Sequence, residues 1–280
     1  MEKKQFESEN YVLYSPDSLK YITDNMIVIL DKKIDYYKKL FGVNSFRKVQ
    51  INFFDNIENF RNYIYSLRGE NKSLPEYAQG TFDNGMINAY ISPNLDINSD
   101  LYKKRLFLAS HELFHIMYKE LVWENNYERI IWFDEGMAQF FSGECDSLLN
   151  NNLEVFVKDV ILSTKSFPNL NNLKHNYNFV TEGYSGYKIS LLTIKYMHDV
   201  LKVDFAKLIN NPNEIIKYGN NTLNEAIAYY KSIFDKSKKL WYYLSNFLKK
   251  GKIIMSKRLI TTTNILTIKS IVNIGCFGIQ

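Results

Sequence analysis

Residues 108–121 read LASHELFHIMYKEL. Apolar residues fall on nearly every side of a helix drawn through this stretch, and such a helix belongs in a core. His111, Glu112 and His115 interrupt it. At four-residue spacing both imidazoles project from one face. Buried imidazoles without partners are costly, and half of the chain's four histidines lie in this pentapeptide. Two neutral imidazoles on one face suit Zn²⁺, which takes nitrogen and carboxylate ligands in a tetrahedral site. The plainer alternative is a pair of ordinary core or surface histidines. Glu112, next to the first histidine, can reach water held by such an ion. Zinc lowers the pKa of that water toward ~7, and a neighbouring carboxylate can take its proton and pass it on.

A site of this kind needs a third protein ligand, and residues 132–138, WFDEGMA, supply one. Glu135 lies 20 residues after His115, on the next predicted helix, from about Glu128 to Gly143. A short turn between antiparallel helices brings it opposite the histidines, and the small Gly136 and Ala138 allow close approach. Taken alone, Asp134 and Glu135 are an ordinary acidic helix start, favoured by the helix dipole. Taken with HELFH at this distance, the ligand reading prevails. Asp134 and Gln139 are within reach to accept the histidines' other N–H groups. His175 and His198 read as surface or packing residues.

Outward from the pair of motifs, the pattern predicts mixed structure. Tyr11–Tyr14 reads as a strand, followed by turn and N-cap residues at Ser15–Ser18. A helix is expected to about Phe41, with Gly42 as its C-cap. Val49–Phe54 alternates as a strand, and Asn56–Leu67 reads as a helix. Ala78–Ser92 reads as a hairpin turning at Asp83-Asn84-Gly85. Asn98-Ser99-Asp100 caps a helix from about Leu101 to Trp123, which Asn125-Asn126 ends. Further helices are expected near Asn152–Thr164, Tyr187–Leu201 and Leu223–Lys250. Early strands and late helices give an α+β fold. The expected organisation is a catalytic unit at 10–210, a helical extension at 211–250 and a basic tail at 251–280.

Composition narrows the setting. Residues 236–280 carry nine Lys/Arg and no acid, which leaves 26 basic and 30 acidic residues, a net −4, upstream. A basic tail can bind anionic surfaces, but no aromatic-interleaved RNA motif or zinc-finger spacing accompanies it, so no nucleic-acid partner is expected. Cys145 and Cys276 are the only cysteines. That excludes a disulfide framework and fits a reducing compartment. Cys145 falls on an apolar helical face. Neither a signal-peptide pattern nor an 18-residue apolar run occurs. The expectation is a cytoplasmic protein as the sequence stands, or a secreted one if a leader has been removed.

HExxH followed about 20 residues later by a Trp-x-Asp-Glu-Gly-Met-Ala segment resembles the gluzincin metallopeptidases, in particular the peptidase MA-like group related to the zinc aminopeptidases. The resemblance covers about Tyr11 to Phe247 and is strongest at 106–142. It implies a thermolysin-like zincin domain, a small sheet with an edge strand followed by helices carrying one zinc ion on His111, His115 and Glu135. It implies that Glu112 is the catalytic base and that the edge, Gly80–Ser92 with Gly80, Thr81 and Phe82 foremost, pairs with a peptide or protein substrate. The family's oxyanion-stabilising tyrosine matches Tyr187 in GYSGYKISLLTIKYM (183–197), with Tyr184 as the near alternative. One departure concerns specificity. The related aminopeptidases carry a Gly-x-Met-Glu-Asn segment whose Glu grips the substrate's amino group, whereas this chain reads Gly80-Thr81-Phe82-Asp83-Asn84. The missing Glu favours an endopeptidase over an aminopeptidase. The competing reading is a zincin-fold binding protein that has lost turnover.

Overall fold

The computed structural model describes residues 3–69, 74, 79–83, 85–122, 128–173, 178–219 and 221–235. Asn84, the Asn125-Asn126 helix break, His175, Cys276, the end of the last predicted helix and the basic tail lie outside these residues. The chain divides into two compact units, Met1–Ala228 and Tyr229–Gln280. The sheet and every helix up to Gly219 belong to the first. Among the described residues no helix is long and apolar enough to cross a membrane.

Five strands form one sheet, β1 (Lys3–Glu7), β2 (Tyr11–Pro16), β3 (Val49–Phe54), β4 (Gly80–Asp83) and β5 (Met86–Tyr90). Their order is β1-β2-β3-β5-β4. The central pairs β2/β3 and β3/β5 are parallel, and the outer pairs β1/β2 and β4/β5 are antiparallel. Parallel neighbours need crossovers. The first is α1 (Lys20–Phe41), the second α2 (Ile57–Arg68). α1 buries Ile22, Met26, Leu30, Ile34, Tyr37 and Phe41 at three- and four-residue steps. It ends at Gly42, whose φ of 69° is the left-handed conformation that ends helices. A 3-10 turn at Asp17–Leu19 precedes α1, with no side-chain cap bond, in place of the expected N-cap. Asn56 caps α2 by accepting from the backbone N–H of Glu58 and Asn59. On that side Phe54, Phe60, Ile64 and Leu74 form a second small core.

The hairpin is present as expected, but of its two strands only β4 is an edge. β5 lies between β3 and β4, which corrects the wider edge of Gly80–Ser92. β1 was not anticipated. Its KKQFE sequence offers one apolar side chain and the charges that suit an exposed edge.

The helix expected from Leu101 is two, α3 (Asp100–Arg105) and α4 (Leu108–Val122). Ser99 caps α3 as expected, by accepting from Tyr102 N–H. Between them Phe107 N–H bonds to Lys104 O, a tighter turn, and Ser110 Oγ donates back to Phe107 O. α4 is buried along almost its whole length, including Glu112 and His115. Tyr37 on α1 donates to Ser110 O at 3.1 Å and fixes the start of α4 against the long helix.

Next come α5 (Ile131–Ser142), α6 (Asp146–Asn151), α7 (Leu153–Ser163), a two-stranded ribbon of β6 (Val180–Thr181) and β7 (Tyr184–Ser185), α8 (Gly186–Asp199), α9 (Phe205–Asn210) and α10 (Ile215–Gly219). Helical residues resume at 222. α5 begins three residues later than expected, because Ile130 is extended. Gly143, at φ 91°, ends it, and Lys33 Nζ donates to Phe141 O in its last turn. α5 packs most closely on α8, and Gly136 makes that possible. A Cβ there would meet Ser190 O at 2.9 Å and Ile194 Cγ1 at 2.7 Å. The small residue of the DEG motif therefore faces α8, not the histidine helix.

Candidate metal centre

α4 and α5 bring three side chains to one point. His111 Nε2 and His115 Nε2 stand 3.1 Å apart. Glu135 Oε2 lies 3.8 Å from the first and 3.5 Å from the second. Each imidazole turns its other nitrogen to a second carboxylate. His115 Nδ1 is 2.8 Å from Asp134 Oδ1, and His111 Nδ1 is 3.3 Å from Glu144 Oε1. The His115 Nδ1 contact is a hydrogen bond and that of His111 is a proximity alone, and both Nε2 atoms and the Glu135 oxygen face one another.

That donor set fits a divalent cation. Two ligands about 2.0–2.1 Å from one tetrahedral ion sit roughly 3.3–3.4 Å apart, close to the 3.1, 3.5 and 3.8 Å found here. The ligand atoms of His111, His115 and Glu135 all lie within 4.8 Å of one another, and no other such group occurs among the described residues.

The electrostatics carry the same demand for positive charge. Burial disfavours charging His111, yet the Glu144 carboxylate raises its pKa above the ordinary histidine value. Burial also opposes charge on His115, but Asp134 and Glu135 outweigh it and raise its pKa further. Glu135 is driven well below the usual carboxylate range. Burial acts against that shift, and His115, Arg129 and His111 produce it. Glu112 moves the other way. Its burial raises its pKa, opposed by the two histidines.

Glu112 faces the open side of the site. It lines two adjoining cavities, of about 610 and about 290 Å³, together with Gly80, His111 and Tyr187. Gly80 on β4 is where the sheet edge meets Glu112. A Cβ there would come within 2.9 Å of Glu112 Oε1. Phe82, two residues along, stacks on the His115 ring at 6.1 Å between centroids. Thr81 alternates to the other side, buried, with its hydroxyl donating to Asp83 Oδ2 at 2.7 Å.

Tyr187 opens α8 at the mouth of both cavities, 36% exposed, with its ring edge-on to Phe179 at 4.9 Å. Tyr184, the alternative, is turned elsewhere and donates to Asn178 O at 2.7 Å. Asp134 takes the orienting place expected of it. Gln139 does not, because its amide donates to Glu135 O and Tyr187 O at 3.2 Å each and ties α5 to α8. His198 packs on Phe140 at 4.9 Å, as a packing residue should. Cys145 is buried as expected, but in the turn after α5 and not on a helix face. Burial pushes its thiol up to about 12.

Two members of the site were not read from the sequence. Glu144 follows the Gly143 cap, where helical spacing no longer says which way a side chain points. Arg129 precedes α5, and its guanidinium bonds both Asp134 and Glu135. The one available signal was a lone cation shortly before two adjacent acids in an otherwise apolar stretch.

No protein-family model matches the chain, and no curated protein matches it either. A solved structure described as an aminopeptidase N family protein from Idiomarina loihiensis is similar at 15% identity with a TM-score of 0.42, over 79% of this chain. This chain spans 41% of that protein's length.

Proposed function

We propose that the protein is a zinc-dependent peptidase that cleaves within polypeptide chains, with His111, His115 and Glu135 as metal ligands, Glu112 as general base and Tyr187 as oxyanion donor. The observation that carries the proposal is the convergence of two imidazole nitrogens and one carboxylate oxygen beside the edge strand β4, with a second carboxylate on the open side.

Each residue has its own part in the reaction. β4 is the last strand of the sheet, and an extended peptide binds beside it as one more strand. When bound, zinc supplies Lewis acidity, which makes water nucleophilic at neutral pH and polarises the scissile carbonyl. Glu112 takes a proton from the attacking water as its oxygen bonds to the carbonyl carbon. The Tyr187 hydroxyl donates to the carbonyl oxygen as it becomes negative. Glu112 then gives its proton to the peptide nitrogen, the C–N bond breaks, and a carboxylate and an amine result. Asp134 holds the His115 imidazole in the tautomer that leaves Nε2 free, and Glu144 stands beside the other nitrogen of His111.

Cleavage within chains, and not from a free amino terminus, is supported at Asp83. Its two oxygens accept from Arg68 Nε at 2.7 Å and Nη2 at 3.0 Å, and one also accepts from Thr81. The one acid on β4 is thus engaged by a cation of the protein and is a poor partner for a substrate ammonium.

The test combines metal content and turnover. Purified protein should hold about one zinc per chain and degrade unfolded casein, including casein blocked at its amino groups. Glu112→Gln should retain zinc and lose turnover, because the base is removed and no ligand is. Zinc bound without cleavage of any peptide would favour the silent binding protein. Loss of zinc in Glu112→Gln would mean the roles are wrongly assigned.

A further inference from the structure

Arg129 sits just before α5 with its guanidinium largely buried between two consecutive acids. Nε donates to Asp134 Oδ2 at 2.7 Å, and Nη2 donates to Glu135 Oε1 at 2.9 Å. The remaining oxygens point the other way. Asp134 Oδ1 takes His115 Nδ1, and Glu135 Oε2 faces the two Nε2 atoms. Each carboxylate is therefore split, one oxygen for the arginine and one for the metal centre. The guanidinium is planar and its donors are fixed in a fork, so the two carboxylates are held in register with each other.

We propose that Arg129 is a positioning residue that sets the coordination mode of the centre. It withholds Glu135 Oε1, so that Glu135 presents a single oxygen to the metal. Through Asp134 it also fixes the ring plane of His115. The inference rests on the metal-binding reading of His111, His115 and Glu135. It goes beyond that reading by assigning how the ligands are held and what a different cation at the same place would change. Without the fork, Glu135 is free to close both oxygens on the ion, and a site with one fewer position open to water and substrate results. The charge matters too. Asp134 is fully buried, and two adjacent carboxylates need a cation when no metal is present. That separates the charge of Arg129 from its shape.

Arg129→Lys keeps the charge and removes the fork, so it isolates geometry. Arg129→Gln removes the charge and keeps a planar donor. Zinc affinity would be measured by chelator competition, coordination by the visible absorption of the Co²⁺-substituted protein, and folding by melting of the metal-free protein. The expected result for Arg129→Lys is metal-free melting close to wild type, zinc affinity lower by about 10–100-fold as for other partners of ligand side chains, and weaker Co²⁺ bands as the coordination number rises. A merely structural role would shift the melting and leave the Co²⁺ spectrum alone. Arg129→Lys with wild-type affinity and spectrum overturns the proposal. If neither variant folds, a crystal structure of the zinc-loaded wild type decides. Arg129 still bonded to Glu135 Oε1 supports it, and Glu135 with both oxygens on zinc overturns it. Wild-type protein that binds neither Zn²⁺ nor Co²⁺ defeats the metal-centre reading itself, whereas failure confined to the Arg129 measurements leaves that reading standing.

Discussion

At the scale of single residues, the sequence declares what burial and helix period enforce and hides what lies off the helix. His111, Glu112, His115 and Glu135 were legible because a fully apolar helix cannot carry two imidazoles without a reason, and because an acid at the right distance supplies it. Asp134 was legible as a partner by adjacency. Arg129 and Glu144 were not, because each lies beyond an end of α5, where the backbone direction is set by packing. Tyr187 is the residue whose assigned role is most exposed to test. A phenol that donates only as the carbonyl oxygen gains charge contributes to the transition state and not to binding. Tyr187→Phe should lower kcat by tens- to a thousand-fold with little change in KM or zinc content. The check is steady-state kinetics beside metal analysis. A silent Tyr187→Phe with a crippled Tyr184→Phe would move the role by three residues.

At the scale of elements, two glycines carry consequences that composition alone would miss. Gly80 lets β4 lie against the Glu112 carboxylate. Alanine there would crowd Glu112 Oε1 at 2.9 Å and Leu108 Cδ1 at 3.0 Å. Both are side-chain atoms that can move, so the fold should tolerate the change to within about 1 kcal/mol. Glu112 would be displaced, and in the proposed role of general base a small displacement is expensive, on the order of 10²-fold. Gly80→Ala should therefore keep its melting temperature and its zinc and lose most of its turnover. Gly136 differs, because the backbone of α8 meets it. Gly136→Val should lower stability by about 1–3 kcal/mol, as overpacked sites do, read as a lower denaturant midpoint. Zinc affinity should fall with it, since the neighbouring residue is Glu135. The break between α3 and α4 had no such marker. Residues 101–123 read as one continuous helix, and only the turn around Phe107 divides it.

At the scale of the molecule, the sheet was legible except at its β1 rim. β2, β3 and β5 carry the alternating apolar pattern that a covered sheet requires, whereas β1 carries mostly polar side chains. The centre links this sheet to the helices. α4 packs against β4 and β5 and supplies the two histidines of the candidate site, and α5 supplies its glutamate while packing on α8. A metal bound there adds a further tie between α4 and α5, beside their packing and the His115–Asp134 hydrogen bond. A ligand that binds only the folded chain at a thousand times its Kd contributes about 4 kcal/mol. For a unit of this size each kcal/mol corresponds to roughly 2–4 °C. Chelation should therefore lower the melting temperature by on the order of 10 °C, and zinc should restore it. His111→Ala should melt at the lower temperature whether or not zinc is added.

The edge strand β4 also sets what a peptidase of the proposed kind can attack. A segment can add to that edge only while its own backbone donors and acceptors are unspent, and a folded protein has already committed them. Under the proposed activity, native proteins must open locally before they are cut, at a free-energy cost between nearly zero at frayed ends and the full stability of a core element. Where reclosing outpaces cleavage, the rate follows the open population. Such a peptidase ranks its targets by looseness before it ranks them by side chain. A destabilised variant of a well-folded protein should be degraded in proportion to its unfolding equilibrium, while its stable parent persists in the same tube.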